Sequence, residues 1–152
     1  MIKKVLIFLG VAILAITADQ YVKGLILDGF RWHSDYISII FVLNEGVAFS
    51  MLSFLQGYLK FIQVAVLLAA LLYCYYEGYL RKYPLELGLI LGSGVSNVYD
   101  RFIYGGVVDY VYYHHWFEFA VFNLADALID VGVVILIVRI LREQGSLKTA
   151  RT

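Results

Sequence analysis

The sequence predicts an integral membrane protein, mainly α-helical: a bundle of four transmembrane helices carrying a small extracytoplasmic β-sheet element, in one domain over residues 1–152. Three observations predict it. Hydrophobic residues make up 62% of the chain and charged residues only 16%, against roughly 45–50% apolar for a soluble domain. Apolar stretches at about 4–27, 58–76, 87–104 and 122–141 approach the ~20 residues needed to cross ~30 Å of hydrocarbon. The basic residues are also unevenly spread. Four spans would put Lys3, Lys4, Arg81, Lys82, Arg139, Arg142, Lys148 and Arg151, eight of the twelve, on the side of the two termini, which the positive-inside rule makes the cytoplasm. Nine of the twelve acids fall toward the other face, so the polar work is expected near the outer surface.

The first stretch opens with Lys3 and Lys4 before an apolar run, as a signal peptide does. The cleavage site is poor, with Ile16 and Ala18 at −3 and −1, and hydrophobicity resumes after Lys23. It therefore reads as a first span. Asp19 and Lys23 stand i,i+4 on one helical face near its far end, equally consistent with a snorkelling interfacial pair and with a role in a site. The outer segment 28–57 holds Tyr36 to Leu43, rich in β-branched and aromatic residues and short enough for a strand. Asn44-Glu45-Gly46 then supplies turn residues. Trp32 and its neighbours suit the headgroup belt.

The second stretch has Gln63 as its only deep polar residue, with Lys60 near its end. A short polar connection, Glu77 to Glu86, leads into the third span, and the tail beyond Leu141 is expected to fray. Cys74 is the only cysteine. It forms no internal disulfide, and it reads as a small buried hydrophobe. Zero net charge offers no basic surface for nucleic acid.

Residues 92–126 concentrate the chemistry. Asn97, Asp100 and Arg101 are i, i+3 and i+4 on one face, where neighbouring Asp and Arg can satisfy each other and brace a bundle. Gly92 and Gly94 would admit another helix closely. Gly105-Gly106 then breaks the helix before a second outer segment, 105–121. Residues 107–122 alternate loosely and are rich in Val, Tyr and Phe, which predicts a strand or hairpin able to pair with 36–43. His114 and His115 are adjacent, so on a strand they face opposite ways, against a shared metal. In the last span Asn123, Asp126 and Asp130 form one stripe. Asp109 and Asp126 have no basic neighbour in sequence. Charged groups at bilayer depth cost at least ~2.5–3.5 kcal/mol and mark functional sites. Two carboxylates brought together resist ionising at once, so they could share a proton and activate water. They could equally serve as a proton relay in a small proton-coupled transporter. A purely structural subunit is a third reading, disfavoured because it would have no reason to maintain two unpaired acids beside the bilayer. No internal inverted repeat favours the transporter.

Four motifs together resemble lipoprotein signal peptidase, the signal peptidase II family of bacterial inner-membrane aspartyl peptidases. They are Asp19-Gln20 with Lys23; Asn44-x-Gly46-x-Ala48-Phe49; Asn97-x-x-Asp100-Arg101 with Gly106-Val107-Val108-Asp109; and Phe122-Asn123-x-Ala125-Asp126. The resemblance implies that Asp109 and Asp126 are the catalytic dyad. It implies that Asn44, Gly46, Asn97, Asp100, Arg101 and Asn123 line or brace the site, supported by Asp19 and Lys23. It further implies a diacylglyceryl-prolipoprotein substrate met within membrane lipid and cut before its lipidated cysteine. Inhibition by globomycin-type cyclic peptides, no metal, no cofactor and a monomeric state are also expected. One departure is Ser96, where the family usually has glycine; a small shift in local packing is the expected consequence.

Overall fold

The computed structural model describes residues 2–46 and 56–149. In chain order the elements are α1 (Ile2–Leu27), β1 (Trp32–His33), β2 (Ile37–Asn44), α2 (Gln56–Tyr76), α3 (Tyr79–Lys82), α4 (Pro84–Ile103), β3 (Val107–Tyr113) and α5 (Leu124–Thr149). Among the described residues, two helices, Ile2–Leu27 and Gly57–Tyr76, are long and apolar enough to cross a membrane. The other two long helices, α4 and α5, carry Asp100, Arg101, Asp126 and Asp130, which dilute their apolar character.

The sheet has the order β1-β2-β3, antiparallel throughout. The strand expected over 36–43 forms at Ile37–Asn44, and the strand expected after Gly106 pairs with it. A bulge between Ile39 and Val42 shifts the register so that Val42 faces Asp109 and Asn44 faces Val107. The helix-breaking glycines act as anticipated. Gly105 takes φ 81°, a left-handed turn that only glycine adopts freely. Gly106 lies so close to β2 that a Cβ would come within 2.9 Å of the Asn44 carbonyl.

α4 is the axis of the molecule, lying most extensively against α1 and then α5. Its start is marked by Pro84 in the first turn, where proline's missing N–H costs nothing. Gly88, Gly92, Ser96 and Asp100 recur every four residues and form the stripe facing α1. A Cβ on Gly92 would meet the Ala12 Cα at 2.7 Å, so backbone nearly touches backbone there. Gly94 meets Leu67 of α2 instead. The close approach expected of both glycines is present, each against a different helix.

Apolar side chains close the two ends. Phe8, Cys74, Leu80, Tyr83, Leu87 and Leu91 cluster far from the sheet, and Ile26, Val108 and Tyr110 cluster beneath it. Cys74 is buried there as a small hydrophobe. Between the two clusters the interior is polar. The exterior is the reverse: Leu14, Val66 and Val134 are 69%, 61% and 60% exposed. An apolar surface of this extent needs lipid or protein to cover it. Two sequence expectations change. The 77–86 connection contains the helical turn α3, and Glu86 is buried against Arg139 at 2.9 Å. α5 continues to Thr149 where fraying beyond Leu141 was expected.

Candidate active site

β3 supplies Asp109 by simple alternation. Val108 and Tyr110 point into the apolar cluster with Ile26, so Val107 and Asp109 face the other way, into a cavity of about 700 Å³. Asn44 lies diagonally across the strand pair from Asp109, a separation that side chains bridge. Its Nδ2 donates to Asp109 Oδ2 at 2.9 Å, and Asn123 Nδ2 donates to Oδ1 at 2.7 Å. Asp109 is 2% exposed. Burial pushes its carboxyl up to about 6, and the nearby negative charge of Asp126 pushes the same way, while the Asn44 and Asn123 amides oppose both.

Asp126 sits in the first turn of α5 through a reciprocal cap. The Asp126 N–H donates to Asn123 Oδ1 at 2.9 Å, and the Asn123 N–H donates back to Asp126 Oδ2 at 3.2 Å. This is the capping-box arrangement, with Asn before the helix and Asp three residues on. Asn123 is therefore the cap of α5, where the sequence reading placed it within the helix. The preceding N–H groups are satisfied too. Leu124 N–H donates to the Tyr110 hydroxyl at 3.0 Å and Ala125 N–H to Asp19 Oδ1 at 2.9 Å. Side chains from three elements thus fix the helix start. Asn97 Nδ2 holds the other Asp126 oxygen at 2.8 Å, while its Oδ1 accepts from Asn123 Nδ2 at 3.2 Å. The run Asp109–Asn123–Asn97–Asp126 is one continuous set of hydrogen bonds, and Asn44, Asn97, Asp109 and Asp126 all line the cavity.

Asp19 and Lys23 are buried, 0% and 1% exposed, so the snorkelling alternative is corrected. Lys23 Nζ reaches Asp19 at 2.6 Å, Asp100 at 2.7 Å and Asn97 Oδ1 at 2.8 Å, which uses all three of its protons. The expected Asp100–Arg101 partnership is also corrected. Asp100 turns to Lys23, to Gln20 Nε2 at 2.7 Å and to the Val108 N–H at 3.1 Å. Arg101 instead donates to the Asn44, Glu45 and Gly46 carbonyls. Adjacent residues on a helix diverge by about 100°, so each finds a partner on its own side. Arg101 pins the end of β2, and the Gly46 N–H closes a turn on Asn44 Oδ1 at 3.1 Å. Ala48 and Phe49 of the same motif lie outside the described residues.

Two contributors went unassigned in the sequence. Ser96 does more than adjust packing: its hydroxyl donates to Asp19 at 2.7 Å and accepts from Gln20 at 2.9 Å. Its place every fourth residue on the Gly88–Asp100 stripe was the available signal. Tyr110, one residue after Asp109, anchors the α5 start. Asp130 lines the cavity a turn beyond Asp126. His114 bonds Ser38 at 2.9 Å and His115 lies against Tyr36, so the two rings serve different partners.

The chain matches the family model described as signal peptidase (SPase) II over residues 11–142. It is 51% identical over 134 residues to the lipoprotein signal peptidase of Helicobacter acinonychis, covering 88% of this chain and 85% of that one. It is also 51% identical over 128 residues to the lipoprotein signal peptidase of Wolinella succinogenes, covering 84% and 88%. A bacterial membrane enzyme solved by the in meso method at 2.3 Å resolution shares the fold, with TM-score 0.78 at 24% identity, over 91% of this chain and 90% of that one.

Proposed function

The chain belongs to the signal peptidase II family of proteases, and we propose that it removes signal peptides from diacylglyceryl-modified prolipoproteins with Asp109 and Asp126 as an aspartyl dyad. One observation carries this reading: two carboxylates from different elements line a single cavity, each held by asparagine amides and neither in a salt bridge with any described residue, while Lys23 is spent on Asp19 and Asp100. Two such groups share a proton. The ionised carboxylate takes a proton from water as the water oxygen bonds to the scissile carbonyl carbon, and the protonated one gives its proton to the carbonyl oxygen. Collapse of the tetrahedral diol breaks the C–N bond, and a proton passes to the departing amine of the lipidated cysteine. With its carboxyl pushed up to about 6, Asp109 lies within reach of this exchange near neutral pH.

The bundle is read as four spans in one domain, in a bacterial cytoplasmic membrane, with both termini cytoplasmic and the sheet outside. The exposed apolar helix faces let a lipid-anchored substrate enter sideways, and a globomycin-type peptide would compete for the same cavity. The proton-relay reading draws no support from the relatives found. The test is cleavage of a diacylglyceryl-prolipoprotein by purified wild type, Asp109→Asn and Asp126→Asn. Each variant should lose at least roughly a hundredfold to ten-thousandfold in rate, the range for removing a general acid or base, while staying monodisperse in detergent. Full activity in either variant overturns the dyad.

A further inference from the structure

Most polar groups around the cavity are already spoken for. Asn44, Asn97, Arg101, Asp109 and Asp126 all hydrogen-bond to protein groups, although the Arg101 Nε has no partner among the described residues. Gln63 of α2 also lines the cavity, yet its Oε1 is buried without a hydrogen-bond partner, and its carboxamide pairs with none of the described residues. Exchanging its oxygen and nitrogen would not alter that, because neither end bonds to any of the described residues. Buried acceptors are rarely left unmade, and one on a residue that lines a cavity calls for an explanation.

The depth of Gln63 follows from helix register. Leu67 meets Gly94 where α2 and α4 touch, and the two helices run in opposite directions. Toward the sheet, Gln63 lies four residues from Leu67 and Asn97 three from Gly94, rises of about 6 and 4.5 Å. Gln63 therefore stands level with Asn97, which holds Asp126, on the facing wall. The wall around it is apolar, with Val66, Leu67, Val98 and Ile129. Such a wall accepts apolar side chains but offers nothing to a peptide backbone, whose N–H and C=O groups must find partners away from water.

We propose that Gln63 is a substrate-positioning residue: its carboxamide accepts a backbone N–H and donates to a backbone C=O of the extended substrate segment beside the scissile bond, holding that bond against Asp126 and Asp109 from the opposite wall. A carboxamide has the donor and acceptor set of a peptide group, so it suits backbone and not any particular side chain. This rests on the peptidase reading above.

The test compares wild type with Gln63→Met, which keeps length and removes both polar atoms. Three quantities are measured: kcat/KM on a diacylglyceryl-prolipoprotein, affinity for a diacylglyceryl lipobox peptide with its scissile amide reduced to a methylene amine, and the Tm of the ligand-free protein. The variant should lose at least about tenfold in kcat/KM and in affinity, the least expected when two hydrogen bonds to groups otherwise left unpaired are removed, with Tm unchanged or raised. Cleavage and affinity within twofold of wild type overturn the proposal, and so does a Tm that falls in step with activity. A wild type that binds the peptide but cuts nothing overturns the peptidase reading, and the affinity comparison then still decides Gln63. A wild type that neither binds nor cuts overturns both.

Discussion

Lys23→Met should be the most damaging single change outside the proposed dyad. Lys23 is 1% exposed and contacts two carboxylates and an amide oxygen at 2.6, 2.7 and 2.8 Å. Methionine fills similar space but leaves Asp19 and Asp100 facing each other with only neutral donors: Ser96, Gln20 and the Ala125 and Val108 N–H groups. Removing one partner of a buried ion pair costs about 3–5 kcal/mol. At roughly 2–4 °C per kcal/mol for a chain of this size, Tm should fall by about 6–20 °C. Activity should fall too, because Asp19 also holds the start of α5, where Asp126 sits. The assay is thermal unfolding in a single detergent, read by tryptophan fluorescence, for Lys23→Met, Asp100→Asn and the double variant. Neutralising Asp100 removes the repulsion that Lys23→Met creates, so the double variant should recover about 1–3 kcal/mol relative to the sum of the singles. A Lys23→Met shift under about 2 °C, or strict additivity, would refute this account.

Three further outcomes follow from the same geometry. Gly92→Ala should lower Tm by several degrees, because its Cβ meets Ala12 backbone at 2.7 Å, whereas Gly94→Ala should cost less, because it meets only the flexible tip of Leu67; overpacking of the first kind costs about 1–3 kcal/mol. Ser96→Ala removes one donor to Asp19 and one acceptor from Gln20, and unfolding should show a loss of about 1–3 kcal/mol. Asp109 has its folded pKa raised from 3.8 to about 6. The native state therefore binds the extra proton, and stability is lost as pH rises from about 4 to 6. Relative to wild type, Asp109→Asn should gain up to ~3 kcal/mol between pH 4 and pH 8, and parallel unfolding curves at the two pH values would contradict it.

Much of the fold is written in local patterns. The Ile37–Asn44 strand shows in its β-branched run, the break after α4 in Gly105-Gly106, and the close helix contacts in Gly92 and Gly94. The apolar, span-length character of α1 and α2 is plain from composition, as a bilayer would select for apolar side chains over a fixed length. It is less plain in α4 and α5, whose charges serve the interior. The candidate site was legible as a set of residues, since each polar group in an apolar stretch is costly enough to stand out. Its wiring was not. Asp100 and Arg101 are neighbours in sequence and diverge in space. Asn123 shares a stripe with Asp126 on paper, yet caps its helix. Lys23 serves Asp100, 77 residues away, as well as Asp19. Hydrophobic patterning reports which residues avoid water, and that depends on each residue's own chemistry. Which donor meets which acceptor depends on how α1, α4 and α5 are juxtaposed, and only packing across the bundle decides that.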